Sequence, residues 1–163
     1  MSALILALLE DHENASLVKG CLEECGHEVF VVDTFTKAIE LLRTQKIDLI
    51  LSDVHLYNGG TVFDFLRLVK KGARTSEIPF VLFSAKPTPV AKYLADGLRS
   101  TARHLGAVKY IEMEIFNPAE FKEHINSLLS PEKQPADRYK DLKLENKVGE
   151  LYGCTNISDD GAP

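Results

Sequence analysis

Residues Lys46–Asp53 read KIDLILSD. From Ile47 to Leu51 the run is almost wholly apolar, and charge bounds it on both sides. That pattern predicts a strand buried on both faces, as in a parallel sheet. A carboxylate, Asp53, stands at its C-terminal end, and a loop containing Gly59-Gly60 follows. In open α/β sheets, ligands and chemistry gather at the carboxyl ends of the strands. Asp53 is therefore the first residue to ask about.

Outward from this strand the chain alternates. Leu4–Leu9 is another continuous apolar run, with Glu10 and Asp11 at its end. Asn14 or Ser16 is placed to cap a helix carrying Leu17, Val18, Cys21, Leu22 and Cys25 at helical spacing, with Gly26 as its stop. His27–Val32 reads as a second strand, and Thr34 or Thr36 opens a helix with Ala38, Ile39, Leu41 and Leu42 on its apolar face. After Asp53, Val62, Phe63, Phe65, Leu66 and Val69 mark a third helix closing near Gly72. Pro79–Ser84 is a fourth strand, ending in a hydroxyl. Pro87 and Pro89 introduce a helix from about Val90 to Leu105, with a predicted inward stripe of Val90, Leu94, Leu98, Ala102 and Leu105. Val108–Met113 is a fifth strand, and Asn117-Pro118 starts a last helix by cap and Pro. Five β-α units in a row predict an α/β fold: a doubly wound, five-stranded parallel sheet flanked by five helices, with right-handed crossovers.

The chain has 163 residues, 45% of them hydrophobic and 26% charged, as expected of one globular domain with a tail. Residues 1–130 form the expected domain. From Pro131 to Pro135 the pattern breaks, so 131–163 read as a linker and tail, with a short helix over 139–152 carrying Leu144, Val148, Leu151 and Tyr152. The net charge of −5 argues against nucleic acid as the main partner. Cys21, Cys25 and Cys154 make no CxxC pair, and the first two read as small apolar residues on a helix. The start, MSALILALLEDH, reads as a strand and not a signal peptide, and no run reaches membrane-spanning length. The expected compartment is the cytoplasm.

The strand ends carry the chemistry. Glu10 and Asp11 end the first strand, Asp53 the third and Ser84 the fourth. In a parallel sheet these ends share one edge. Carboxylates grouped there suit Mg²⁺, a hard ion that takes oxygen ligands and keeps several waters. The ion offsets repulsion among the acids and keeps Asp53 ionised. An ionised Asp beside a metal can attack a phosphoryl group, and a hydroxyl on the next strand can hydrogen-bond the new phosphoryl oxygens. No glycine-rich phosphate loop follows the first strand, where Glu10–Asn14 stands instead, which argues against a nucleotide-binding enzyme.

Over roughly residues 3–130 the sequence resembles the receiver domain of two-component response regulators. The carrying segments are LILALLED, LEECGHEV, KIDLILSDVHL, PFVLFSA and GAVKYIEMEIF, with the Gly106-Ala107-x-x-Tyr110 pattern among the more specific. The resemblance implies a flavodoxin-like sheet with Asp53 as phosphoacceptor, Ser84 as switch hydroxyl and Tyr110 as switch aromatic. It implies that the backbone carbonyl of His55 ligates Mg²⁺ together with Asp53 and the acids of the first strand. It also implies a histidine kinase or phosphotransfer protein as phosphodonor. A downstream protein would be contacted through the fourth helix and fifth strand, with no nucleic acid or membrane involved. Residues 131–163 are too few for a typical output domain, so the output is expected through protein contact.

The departures are specific. Aligned without a gap, the family's acid pair falls on Leu9 and Glu10; a one-residue shift restores it at Glu10-Asp11. Leu56-Tyr57 replaces a Met-Pro. Met113-Glu114 stands where strand five normally ends in Lys-Pro, so the lysine that pairs with the phosphoryl group is missing. Lys109 lies too early on the strand to replace it. The stretch from Ser84 to Met113 is longer than usual, which predicts an extended fourth helix or extra structure before it. These departures support a second reading, a pseudo-receiver binding module that keeps the fold without being switched by phosphorylation.

Overall fold

The computed structural model describes residues 2–54 and 61–130. His55, Leu56, Tyr57 and the Gly59-Gly60 turn lie outside the described residues, as does the expected linker and helix beyond 130. The chain divides into two units, Met1–Leu129 and Ser130–Pro163.

In the first unit five strands alternate with five helices. They are β1 (Leu4–Leu8), α1 (His12–Glu23), β2 (Glu28–Val32), α2 (Phe35–Thr44), β3 (Leu49–Asp53), α3 (Val62–Lys71), β4 (Phe80–Ala85), α4 (Pro89–His104), β5 (Lys109–Met113) and α5 (Pro118–Leu129). The strands form one parallel sheet in the order β2-β1-β3-β4-β5. This is the doubly wound arrangement whose strand order reverses between β1 and β3. The KIDLILSD run supplies the central strand, and its Leu49, Ile50 and Leu51 are fully buried.

Strand alternation sorts the core into two layers. Ile5, Ala7, Leu49, Leu51, Val81, Phe83, Ile111 and Met113 face α1 and α5, where Val18, Leu22, Phe121 and Ile125 meet them. Leu6, Leu8, Ile50, Phe80 and Leu82 face the other way, against Ala38, Phe65, Leu66 and Ala102 of α2, α3 and α4. Cys21 is buried in the α1 layer and its thiol pKa is pushed up by that burial, as suits a small apolar residue.

Two local expectations change. The cap of α1 is neither Asn14 nor Ser16 but Asp11, whose side chain accepts the Asn14 N–H at 2.8 Å. The helix starts earlier because an Asp with extended backbone satisfies a free N–H of the first turn. Removing that cap in Asp11→Ala is expected to lower stability by about 1 kcal/mol, read from the urea midpoint, with Asp11→Ser nearly neutral. On α4 the inward stripe differs from the expected one in the first turns only: Ala91 and Ala95 are buried, whereas Val90 and Leu94 are 67% and 50% exposed. Further along, Ala102 is buried and Leu98 and Leu105 pack against the core, as the sequence predicts. Small side chains let α4 lie close to the sheet, and the larger ones are left facing outward. The long stretch after Ser84 is absorbed by α4 itself, the 16-residue helix capped by Thr88 with Pro89 in its first turn. Gly106, at φ 103° in the turn into β5, adopts a backbone that glycine tolerates best, and a Cβ there would press on the Lys70 side chain at 3.2 Å.

Candidate functional site

The C-terminal edge of the sheet collects the residues singled out above. Asp53 is the last residue of β3 and pairs in register with Phe83 of β4, one residue before Ser84. Leu8 pairs with Ser52, so Leu9 follows beside Asp53 on the β1 side. Alternation along β3 puts Asp53 on the same face as Leu49 and Leu51, toward α1 and α5.

That face is otherwise apolar. Leu9 is 2% exposed and Met113 4%, and both belong to the cluster that holds Phe83, with Ala85 and Phe116 packed against it. Phe83, Phe116 and Phe121 stack edge-on or tilted at 5.3–6.3 Å between centroids. Leu9 and Met113, on either side of Asp53 at this edge, thus belong to one apolar cluster.

The acids of the first strand separate. Glu10 is half-buried between Leu9 and the helix cap. Asp11 is exposed and engaged with the α1 backbone. Leu9 still bonds to β2 through its N–H and the Val32 carbonyl, and Asp11 already belongs to the helix start. Among the described residues no three His, Cys, Asp or Glu side chains come together to hold a metal. Mg²⁺ is commonly held through only one or two carboxylates, and Glu10 and Asp53 are the pair at this edge. The His55 carbonyl lies outside the described residues.

On the opposite face, toward α4, sits a buried polar group of three. Ser84 pairs in register with Glu112, and Tyr110 lies two residues before Glu112 on the same face of β5. Ser84 Oγ, the Tyr110 hydroxyl and Glu112 Oε2 are buried without a hydrogen-bond partner. Arg99 of α4 covers them. Its guanidinium lies 5.3 Å from the Tyr110 ring centroid, within cation–π range, and 3.9 Å from Glu112 Oε2. Burial raises the Tyr110 pKa, and the Glu112 carboxylate adds to the rise; the nearby Ser84 hydroxyl and Arg99 oppose it. Ser84 is close enough to act on the phenol, but the two hydroxyls do not meet with hydrogen-bond geometry. Arg99 and Glu112 are not legible as site residues in the sequence. Only their spacing relative to Tyr110 could have flagged them.

The sign of the Tyr110 shift makes a pH prediction. Folded Tyr110 holds its proton more tightly than in the unfolded chain, whose phenols titrate near pH 10. Its contribution to stability is complete below that value and is lost as pH rises through the folded value. A phenolate absorbance titration should show a late phase that Tyr110→Phe removes and Glu112→Gln moves toward the ordinary range. Simultaneous titration of all tyrosines, unchanged by Tyr110→Phe, contradicts this.

No protein-family model matches the sequence, and no curated protein matches it. Solved structures do. The chemotaxis response regulator CheY4 of Vibrio cholerae is 20% identical with a TM-score of 0.65, over 78% of this chain and 99% of that one. A putative response regulator from Chloroflexus aurantiacus is 19% identical with a TM-score of 0.67, over 79% and 98%. The receiver domain of a signal transduction histidine kinase from Syntrophus aciditrophicus is 23% identical with a TM-score of 0.66, over 81% and 93%. Five parallel strands in one sheet with five helices give this chain the flavodoxin-like fold of those receiver structures.

Proposed function

We propose that this chain is a receiver module of a two-component or phosphorelay system, taking a phosphoryl group on Asp53 and passing the signal on by protein contact. The observation that carries this reading is the placement of Asp53 at the C-terminal end of the central strand, beside a β4 end whose Ser84 hydroxyl is buried with no partner. In the transfer, an Asp53 carboxylate oxygen attacks phosphorus. The new O–P bond forms as the donor's bond to phosphorus breaks, and the leaving group departs with that electron pair. Ser84 has an unused O–H to donate to a phosphoryl oxygen, which is how modification at β3 would be felt at β4. Mg²⁺ enters this proposal as a hydrated ion on Glu10 and Asp53, supplying positive charge beside the acceptor. The donor would be a histidine kinase or phosphotransfer protein.

The output side has a candidate surface. Val90, Tyr93 and Leu94, spaced as one helical face, are exposed on the first turns of α4, and Ile115 is exposed just beyond β5. Lys92 and Glu114, paired at 2.9 Å, tie these two segments together. Arg99 joins the same helix to Tyr110, so a change at Ser84 has a short route to this face. Among the described residues, no helix is long and apolar enough to cross a membrane.

A second reading rests on Leu9 and Met113. Two buried apolar residues beside Asp53 favour a binding module that keeps the α4 surface and needs no phosphoryl group. Incubation with acetyl phosphate and Mg²⁺, followed by intact mass, separates the two. A wild-type chain that gains no phosphoryl mass leaves only the second.

A further inference from the structure

Lys86 has no part in the family resemblance, yet it occupies an unusual place at this edge. It follows directly on β4 and has a positive φ of 49°, the only non-glycine residue with positive φ among those described. Its N–H donates to the Met113 carbonyl at 2.9 Å, which ties the end of β4 to the end of β5. Left-handed backbone is unfavourable for a side chain that offers no local hydrogen bond, and such strain concentrates at functional positions.

The side chain then reaches away from β5. Its ammonium lies 3.5 Å from Glu13 Oε2, in the first turn of α1. In the sheet, β3 lies between β4 and β1, and α1 begins just beyond β1. A contact from the end of β4 to the start of α1 therefore spans the end of β3, where Asp53 sits. Both α1 and Asp53 lie on the same side of the sheet. Lys92, the other lysine near this edge, is instead engaged with Glu114 on the α4 side.

From this we infer that Lys86 is the cation that binds the phosphoryl group at Asp53, replacing from the β4 end the lysine that β5 lacks. The inference rests on the receiver reading of Asp53. The Glu13 pair is exposed, with the two side chains 63% and 74% accessible, and exposed pairs hold their partners weakly. A phosphoryl group brings a charge of about −1.5 to −2 and three strong acceptor oxygens. It therefore outcompetes a single carboxylate for the ammonium. Glu13 acts as the resting partner of Lys86, and Met113, buried and apolar, contributes only the backbone carbonyl that orients it.

The test compares wild type with Lys86→Asn, Lys86→Arg and Glu13→Gln, using acetyl phosphate with Mg²⁺ and intact mass over time. Asn tolerates left-handed backbone, so it removes the charge with little disturbance to the turn. The expected result is a roughly tenfold or greater loss in the amount of phosphorylated chain for Lys86→Asn, set by an ion-pair contribution in the range for charge-assisted hydrogen bonds. Lys86→Arg should stay within a few-fold of wild type. Glu13→Gln should match or exceed it, because the ammonium is released. Beryllofluoride binding, followed by the chemical shift of the Lys86 side-chain nitrogen, gives a readout that does not require turnover; a shift that disappears in Asp53→Asn supports the contact. Lys86→Asn phosphorylated as fast and as long-lived as wild type overturns the assignment while leaving Asp53 as acceptor. A wild-type chain that takes no phosphoryl group on Asp53 overturns both.

Discussion

Asp53→Asn is expected to abolish phosphoryl uptake from acetyl phosphate, with no other acid of the edge taking over. The amide is nearly the same size and keeps the position at the end of β3, but it has no anionic oxygen to attack phosphorus. Glu10 is half-buried beside the helix start, and Asp11 is engaged with the Asn14 N–H, so neither stands at the end of a central strand beside Ser84. The expected mass spectrum of the variant shows unmodified chain alone, under conditions where wild type carries one phosphoryl group. A residual single adduct in Asp53→Asn, mapped by fragmentation to Glu10 or Asp11, would move the acceptor to the first strand. Ser84→Ala should behave differently: uptake persists, since the nucleophile is intact, while the response of the Tyr110 environment to it is lost. Tyr110 fluorescence or its phenolate titration, with and without the donor, reads that difference. The expectation follows from Ser84 being the buried hydroxyl between the acceptor strand and Tyr110.

The fold was legible because each strand is a short apolar run closed by a polar residue, and each helix has its own start signal. KIDLILSD gave away the central strand because burial on both faces requires a run with no polar break. Thr34 and Asn117 were readable as helix starts, since their oxygens accept first-turn N–H groups. The phase of the first turns of α4 was not. Hydrophobicity alone ranks Val90 and Leu94 above Ala91 and Ala95, but the inward face is chosen by how close the helix must lie to the sheet. Asp53 and Ser84 were legible as strand-end residues. Lys86 was not, because a lysine after a strand looks like any solvated residue. Only the backbone twist at position 86 and the reach to Glu13 distinguish it. Glu112 was hidden for the converse reason: a charged residue on an outer strand is normally exposed, and here Arg99 and Tyr110 bury one of its oxygens.

Leu9→Asp is expected to destabilise the domain by about 3–5 kcal/mol, the largest stability effect at the site. Leu9 is 2% exposed in the same apolar cluster as Met113, Phe83 and Phe121. The substitution removes the transfer and packing contribution of a core leucine and leaves a carboxylate among the apolar side chains of that cluster. Asp53, adjacent in register, adds like-charge repulsion. Urea unfolding should show a lower midpoint with an unchanged slope, and Leu9→Met, which nearly conserves volume, should cost under about 1.5 kcal/mol. The double variant Leu9→Asp/Met113→Lys puts an ammonium on the same apolar face of the edge as the two acids. If the apolar pair is a coupled replacement for an acid and a lysine, the double variant costs less than the sum of the singles, and the coupling appears in a double-mutant cycle. Strict additivity would mean that Leu9 and Met113 fill the core independently. A Leu9→Asp variant as stable as wild type would mean that water reaches this side of Asp53, and the case for a binding module that does without phosphorylation would lose its main support.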